Sequence, residues 1–120
     1  MATVELKNAL DVSNNLTSDF VRRLNVQLGT EITTSTTLTS THAGKYIPVN
    51  SASATNITIN GSVFATNDII TIEQTGAGIV TIVQGSGMTL NGDKKSWGQY
   101  SVLYIFFKSA TVATVTGGSA

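Results

Sequence analysis

The chain contains no cysteine. That excludes a disulfide framework and any thiolate metal site. Charge is scarce: Asp, Glu, Lys and Arg make up 12% of 120 residues, seven of each sign, for a formal net charge of zero. Neither half is biased, so no basic face for nucleic acid or for an anionic membrane is expected. No apolar run approaches the roughly 20 residues of a membrane-spanning helix. The N-terminus lacks a basic stretch followed by an apolar one, so no secretory leader is expected. Histidine is reduced to His42. A general base needs an orienting carboxylate and a nucleophile, and neither lies near it in sequence. Asp68 and Glu73 are the nearest carboxylate pair, and strand alternation sends them to opposite faces. No run of alternating oxygen ligands suggests a calcium loop. No enzyme activity, cofactor or metal is expected.

What the chain has in quantity is threonine (19), serine (12), glycine (11) and asparagine (9). One domain with one modest core is the default for this length. A weakly charged Thr/Ser/Asn surface leaves little repulsion between copies, which suits packing into an assembly. Three Asn-x-Ser/Thr triplets, at Asn15, Asn56 and Asn60, are what such a composition produces by chance.

The organising stretch is Asp68 to Gly87. Two β-branched runs, Ile69–Glu73 and Ile79–Val83, flank Gly76-Ala77-Gly78. Val, Ile and Thr suit a pleated surface. Alternation places Ile70 and Ile72 on one face and Ile69, Thr71 and Glu73 on the other. Val80 and Ile82 likewise share a face. The first set of each strand is expected in the core. The glycines supply the positive φ of a turn, so a hairpin with a bulge is predicted. A nucleotide loop is not, because no helix follows to hold a phosphate.

Around this centre the chain divides at about residue 35. Residues 1–35 read as an N-terminal arm with a short helix. Thr3–Leu6 is a short strand or extended segment. Thr17-Ser18-Asp19 is an N-cap cluster and Gly29 a C′ residue. Phe20, Val21, Leu24 and Leu28 recur at helical spacing between them. Arg22 and Arg23 fall on its solvent or partner face. Residues 36–120 read as the β domain. Thr36–Thr39 is its first strand and Tyr46–Asn50 the next. Pro48 cannot donate to a ladder, so its strand should lie at an edge or leave that position unpaired. Asn56–Ile59 is followed by Asn60-Gly61, a strong hairpin signal. Met88–Leu90, Ser101–Phe107 and Thr111–Val115 are further strands. The run Val102–Phe107 is apolar on both faces, which requires cover on both. A sister copy would supply the second cover. Short strands with glycine turns predict a small antiparallel β-sandwich or barrel, mainly β, with a short N-terminal helix or arm. No internal repeat is clear enough to indicate a solenoid.

Several pieces fall in a recognisable order. They are Ala43-Gly44-Lys45, then Asn50-Ser51-Ala52, then Gly76-Ala77-Gly78 with Val80-Thr81-Ile82. Gly85 and Gly87 follow, and Gly98-Gln99-Tyr100-Ser101 comes last. From Ala43 onward the chain resembles a small β domain of tailed-bacteriophage virion proteins, found in capsid decoration proteins, head fibres and tail fibres. Such domains often carry a tryptophan in the last hairpin, where this chain has Ser109-Ala110-Thr111. The resemblance implies a structural virion protein, a capsid decoration (cement) or head-fibre protein. It would be made in the bacterial host cytoplasm and sit on the capsid exterior. It would form a homotrimer and bind the major capsid protein, with residues 1–35 as the anchoring arm and no catalytic residues. The interface residues expected are Phe20, Leu24, Trp97, Tyr104 and Phe106. The alternative is a tail-fibre tip that binds a host receptor or surface glycan. There Tyr46, Trp97, Tyr100 and Tyr104 would offer stacking platforms.

Overall fold

The computed structural model describes residues 26–118. The strands, in chain order, are β1 (Gln27–Leu28), β2 (Thr36–Thr37), β3 (Lys45–Val49), β4 (Thr55–Ile59), β5 (Ile69–Gln74), β6 (Val80–Gln84), β7 (Thr89–Gly92), β8 (Val102–Phe107) and β9 (Val112–Thr116). Sheet A has the order β1-β3-β5-β8-β9-β7 and sheet B the order β2-β4-β6. The first six strands alternate between the sheets, and each pairs in parallel with the strand one coil away. This is a parallel β-solenoid of about three turns, not an antiparallel sandwich or barrel.

The two predicted hairpins are corrected accordingly. β5 and β6 do not pair with each other; they lie in different sheets. Asn60-Gly61 also joins strands of different sheets. A glycine turn lets a chain reverse or round a corner, and here the corner is stabilised by the coil beside it. Residues 50–54 and 75–79 are corners of equal length. Thr75 N donates to Val49 O (2.9 Å), Gly78 N to Ser51 O (2.8 Å) and Thr55 N to Ile79 O (2.9 Å). Gly76 and Gly78 are therefore required for a different reason from the one expected. Neither has positive φ. A Cβ on Gly76 would lie 2.4 Å from Ser51 O, and one on Gly78 would lie 1.9 Å from Ser53 O. Parallel neighbours are only about 4.8 Å apart, so facing corners leave no room for a side chain.

The predicted helix near 18–28 is corrected where it can be compared. Gln27 and Leu28 are extended and pair with Lys45 and Tyr46. Residues 18–25, with Phe20, Arg22, Arg23 and Leu24, lie outside the described residues, as does Thr3–Leu6. The body begins before residue 36: Ile32 is buried and bridges to Val49. Pro48 sits within the sheet, on a strand flanked by β1 and β5. Its carbonyl accepts from Ile32 N (2.9 Å). Leu28 pairs Tyr46 and Ile32 pairs Val49, so the first coil has one extra residue opposite Pro48. That bulge accommodates a residue with no N–H to offer.

The core lies between the sheets. Ile47, Val49, Ile57, Ile59, Ile70, Ile72, Val80 and Ile82 are each no more than 1% exposed. Successive coils stack like on like, as in Ile47 on Ile72 and Ile57 on Ile82. Each such burial contributes roughly 1.5–3 kcal/mol. The last coil is closed by the C-terminal segment. β8 pairs antiparallel with β5, and its Leu103, Ile105 and Phe107 are fully buried. Phe64, from the loop after β4, packs its ring 4.7 Å from that of Phe107. β9 returns antiparallel to β8, and β7 pairs in parallel with β9. No helix among the described residues is long and apolar enough to cross a membrane.

Candidate functional site

Two surfaces stand out, and both follow from strand register. The first is the outer face of sheet A. One row across it reads Leu28, Tyr46, Thr71, Tyr104, Thr116. The next reads Ile69, Phe106, Thr114, Asn91. Leu28 is 74% exposed, Tyr104 52%, Ile69 45% and Phe106 43%. Thr71 is buried although it faces outward, because Tyr46 and Tyr104 flank it. Glu73 stands on the same face, between Pro48 and Val102. Burial foremost, then the neighbouring Glu73 carboxylate, then Tyr104, push the Tyr46 phenol above its ordinary pKa of 10.0. Each of these disfavours the phenolate. The face is thus an aromatic and aliphatic field with one carboxylate at its margin.

Of the residues expected at an interface, Tyr104 and Phe106 stand together here. Leu28, Ile69 and Tyr46 join them; the sequence placed none of these three at an interface and offered Tyr46 only as a stacking platform. The alternation of β5 already turned Ile69 outward. What the sequence could not show is that β8, thirty-odd positions away, would be its neighbour. Phe20 and Leu24 lie outside the described residues.

Trp97 lies elsewhere. The strap from Asp93 to Ser101 links β7 to β8 and covers the free side of β6. Ile82 N donates to Lys94 O (2.7 Å) and Ser96 N to Val80 O (2.8 Å). Thr81 and Lys95 form an antiparallel bridge. Beneath them Gln74 and Ser96 are both buried. The Ser96 hydroxyl donates to Gln74 Oε1 and accepts from Val80 N (2.8 Å), and Gln74 Nε2 donates to Gly76 O (3.0 Å). Ser101 Oγ accepts from Trp97 N (3.0 Å) and Gly98 N (3.1 Å). Tyr100 is held in the left-handed region at φ 68° while its N–H donates to Gln74 O. On this fixed backbone Trp97 is 73% exposed and borders an open cleft of about 660 Å³. Ile79, Thr81, Asp93, Lys94 and Lys95 also line it.

The remaining candidates make local hydrogen bonds to the backbone. His42 Nδ1 accepts from Thr39 N (2.9 Å) and closes a short 3₁₀ turn at Ser40–His42. Asp68 Oδ2 accepts from Ala65 N (2.9 Å) in the turn before β5. Among the described residues no group of three or more His, Cys, Asp or Glu gathers as a metal site would require. Comparison with protein-family models, curated proteins and solved structures finds no match to the chain.

Proposed function

We propose that the chain is a structural virion protein of the capsid-decoration or head-fibre kind. It associates as a homotrimer through the outer face of sheet A and binds the shell built by the major capsid protein. The observation that carries this reading is the exposure of Tyr104, Phe106 and Ile69 side by side on registered strands, with Leu28 exposed at the far end of the same face beyond Tyr46 and Thr71. A sheet face this apolar is favoured against another protein surface rather than water. The low charge of the chain leaves little to oppose close packing of copies. The order of turn motifs from Ala43 onward supplies the virion context and the expectation of three copies. Binding would work by area, each buried apolar Å² adding about 25 cal/mol before the costs of association.

Sedimentation equilibrium at micromolar concentration tests the association. The expected mass is three times the 12.6 kDa of the chain. Tyr104→Ser with Phe106→Ser should give a folded monomer. The protein should also bind empty heads and raise their melting temperature. A wild-type chain that stays monomeric, in solution and on heads, refutes the proposal.

A further inference from the structure

We infer that the cleft beside Trp97 is a saccharide-binding site, with the indole as the platform on which a pyranose ring stacks. The inference uses a surface other than the outer face of sheet A, and stands whether or not the chain decorates a shell. Three observations carry it. The only tryptophan of the chain is 73% exposed. A side chain whose main contribution is burial is here kept in water. Its backbone is also fastened on both sides, by the Ser96–Gln74–Val80 network and by Ser101 Oγ. The backbone that carries the ring is therefore fixed before any ligand arrives, which limits the entropy lost on binding to the side chain's own torsions. Finally, the lining gives this ring hydrogen-bonding groups alongside apolar surface. Ile79 adds one aliphatic wall, while Thr81, Asp93 and Lys95 offer a hydroxyl, an acceptor and a donor.

Sugars match that mixture. A pyranose has an apolar C–H face for an indole and a rim of hydroxyls that both donate and accept. A nucleic acid would want a stronger basic field, and Asp93 stands beside Lys94 and Lys95. The cleft volume lies within the range of small-ligand sites.

The single tryptophan makes the test direct. Its emission is followed while the full chain is titrated with maltotetraose, chitotetraose and tetragalacturonate, each to about 10 mM, the range of weak sites. The expected result is a saturable blue shift, with protection from acrylamide quenching, for at least one of them. Calorimetry with that sugar should show Trp97→Ala weakened roughly three- to tenfold or more, the scale of one aromatic stack. Trp97→Phe should retain part of the affinity. Both variants should melt as the wild type does, because the ring is largely exposed. No saturable change with any of the three sugars overturns the inference. So does undiminished binding by Trp97→Ala. A blue shift that follows protein concentration without sugar also overturns it, by assigning the cleft to contacts between copies.

Discussion

Replacing Gly78 by alanine separates a stack of coils from a hairpin. At a hairpin tip an added methyl would point into solvent and change little. In the solenoid that methyl would sit 1.9 Å from Ser53 O, 2.4 Å from Ser53 C and 2.9 Å from Ser51 O. All three are backbone atoms, so no side chain can swing aside. The two corners must part by about 1 Å, and overpacking of this kind costs about 1–3 kcal/mol. Parting them also stretches the bonds Gly78 N to Ser51 O and Thr55 N to Ile79 O. Each contributes about 1 kcal/mol when well made. Against this, alanine reduces the freedom of the unfolded chain, worth about 0.4–1 kcal/mol. The net expectation is a loss of roughly 2–4 kcal/mol, or about 8–16 °C in Tm for a domain of this size. Gly98→Ala is the internal control. Its Cβ meets nothing within 4 Å and its φ is not positive. It should be neutral or gain up to about 1 kcal/mol. Urea unfolding at a fixed protein concentration measures both, with unchanged m-values showing that the unfolded states are comparable. A Gly78→Ala protein within about 0.5 kcal/mol of wild type would refute the stacked corners, since that is the scatter of ordinary surface substitutions.

Gln74→Ala should destabilise by about 2–4 kcal/mol, because the Ser96 hydroxyl loses its acceptor, Gly76 O loses a donor, and a cavity opens beneath the strap. The same variant should alter the accessibility of Trp97 to acrylamide, since Gln74 anchors the strap that carries it. At alkaline pH, Tyr46 should titrate later than an ordinary tyrosine, and Glu73→Gln should bring it back toward the normal range. Its folded pKa lies above its unfolded value, so the fold holds the proton more tightly. The associated stability is fully present below about pH 10 and falls as pH rises through the folded pKa. Absorbance at the phenolate band, compared with Tyr46→Phe, reads this out. A Tyr46 midpoint at or below the ordinary value would remove the crowding inferred for that face.

Which side chains point inward was legible. Strict alternation in Ile69–Glu73 and in Val80–Val83 marked Ile70, Ile72, Val80 and Ile82, and all four are buried. What each strand pairs with was not. Alternation reports a half-buried pleat, and a solenoid coil and a hairpin arm present the same pleat. The repeat that would have decided between them is hidden. Residues of β3 and β4 are each 25 positions from their partners on β5 and β6. Yet between residues 45–59 and 70–84, the paired strands and their corners, only Ile47 and Ile72, Ala52 and Ala77, and Ile57 and Ile82 are identical. The first coil breaks the period, with offsets of 18 at β1 and 21 at β2. Stacking asks only for an aliphatic on an aliphatic and for small residues at the corners, and many sequences meet that. The apolar character of both faces of Val102–Phe107 was visible at once. That its outer residues would join Ile69 and Tyr46 depended on an antiparallel pairing that nothing local encodes.

The constant step between the second and third coils makes the body a ruler. The strands of each coil pair only with those of the coil before and the coil after, while the strap and β8 form their ladders with β6 and β5 of the last one. Duplicating residues 50–74 would therefore insert one whole rung of about 4.8 Å, leaving both ends as they are. Lengthened in this way, the chain would change height without changing its ends, as a column gains a drum.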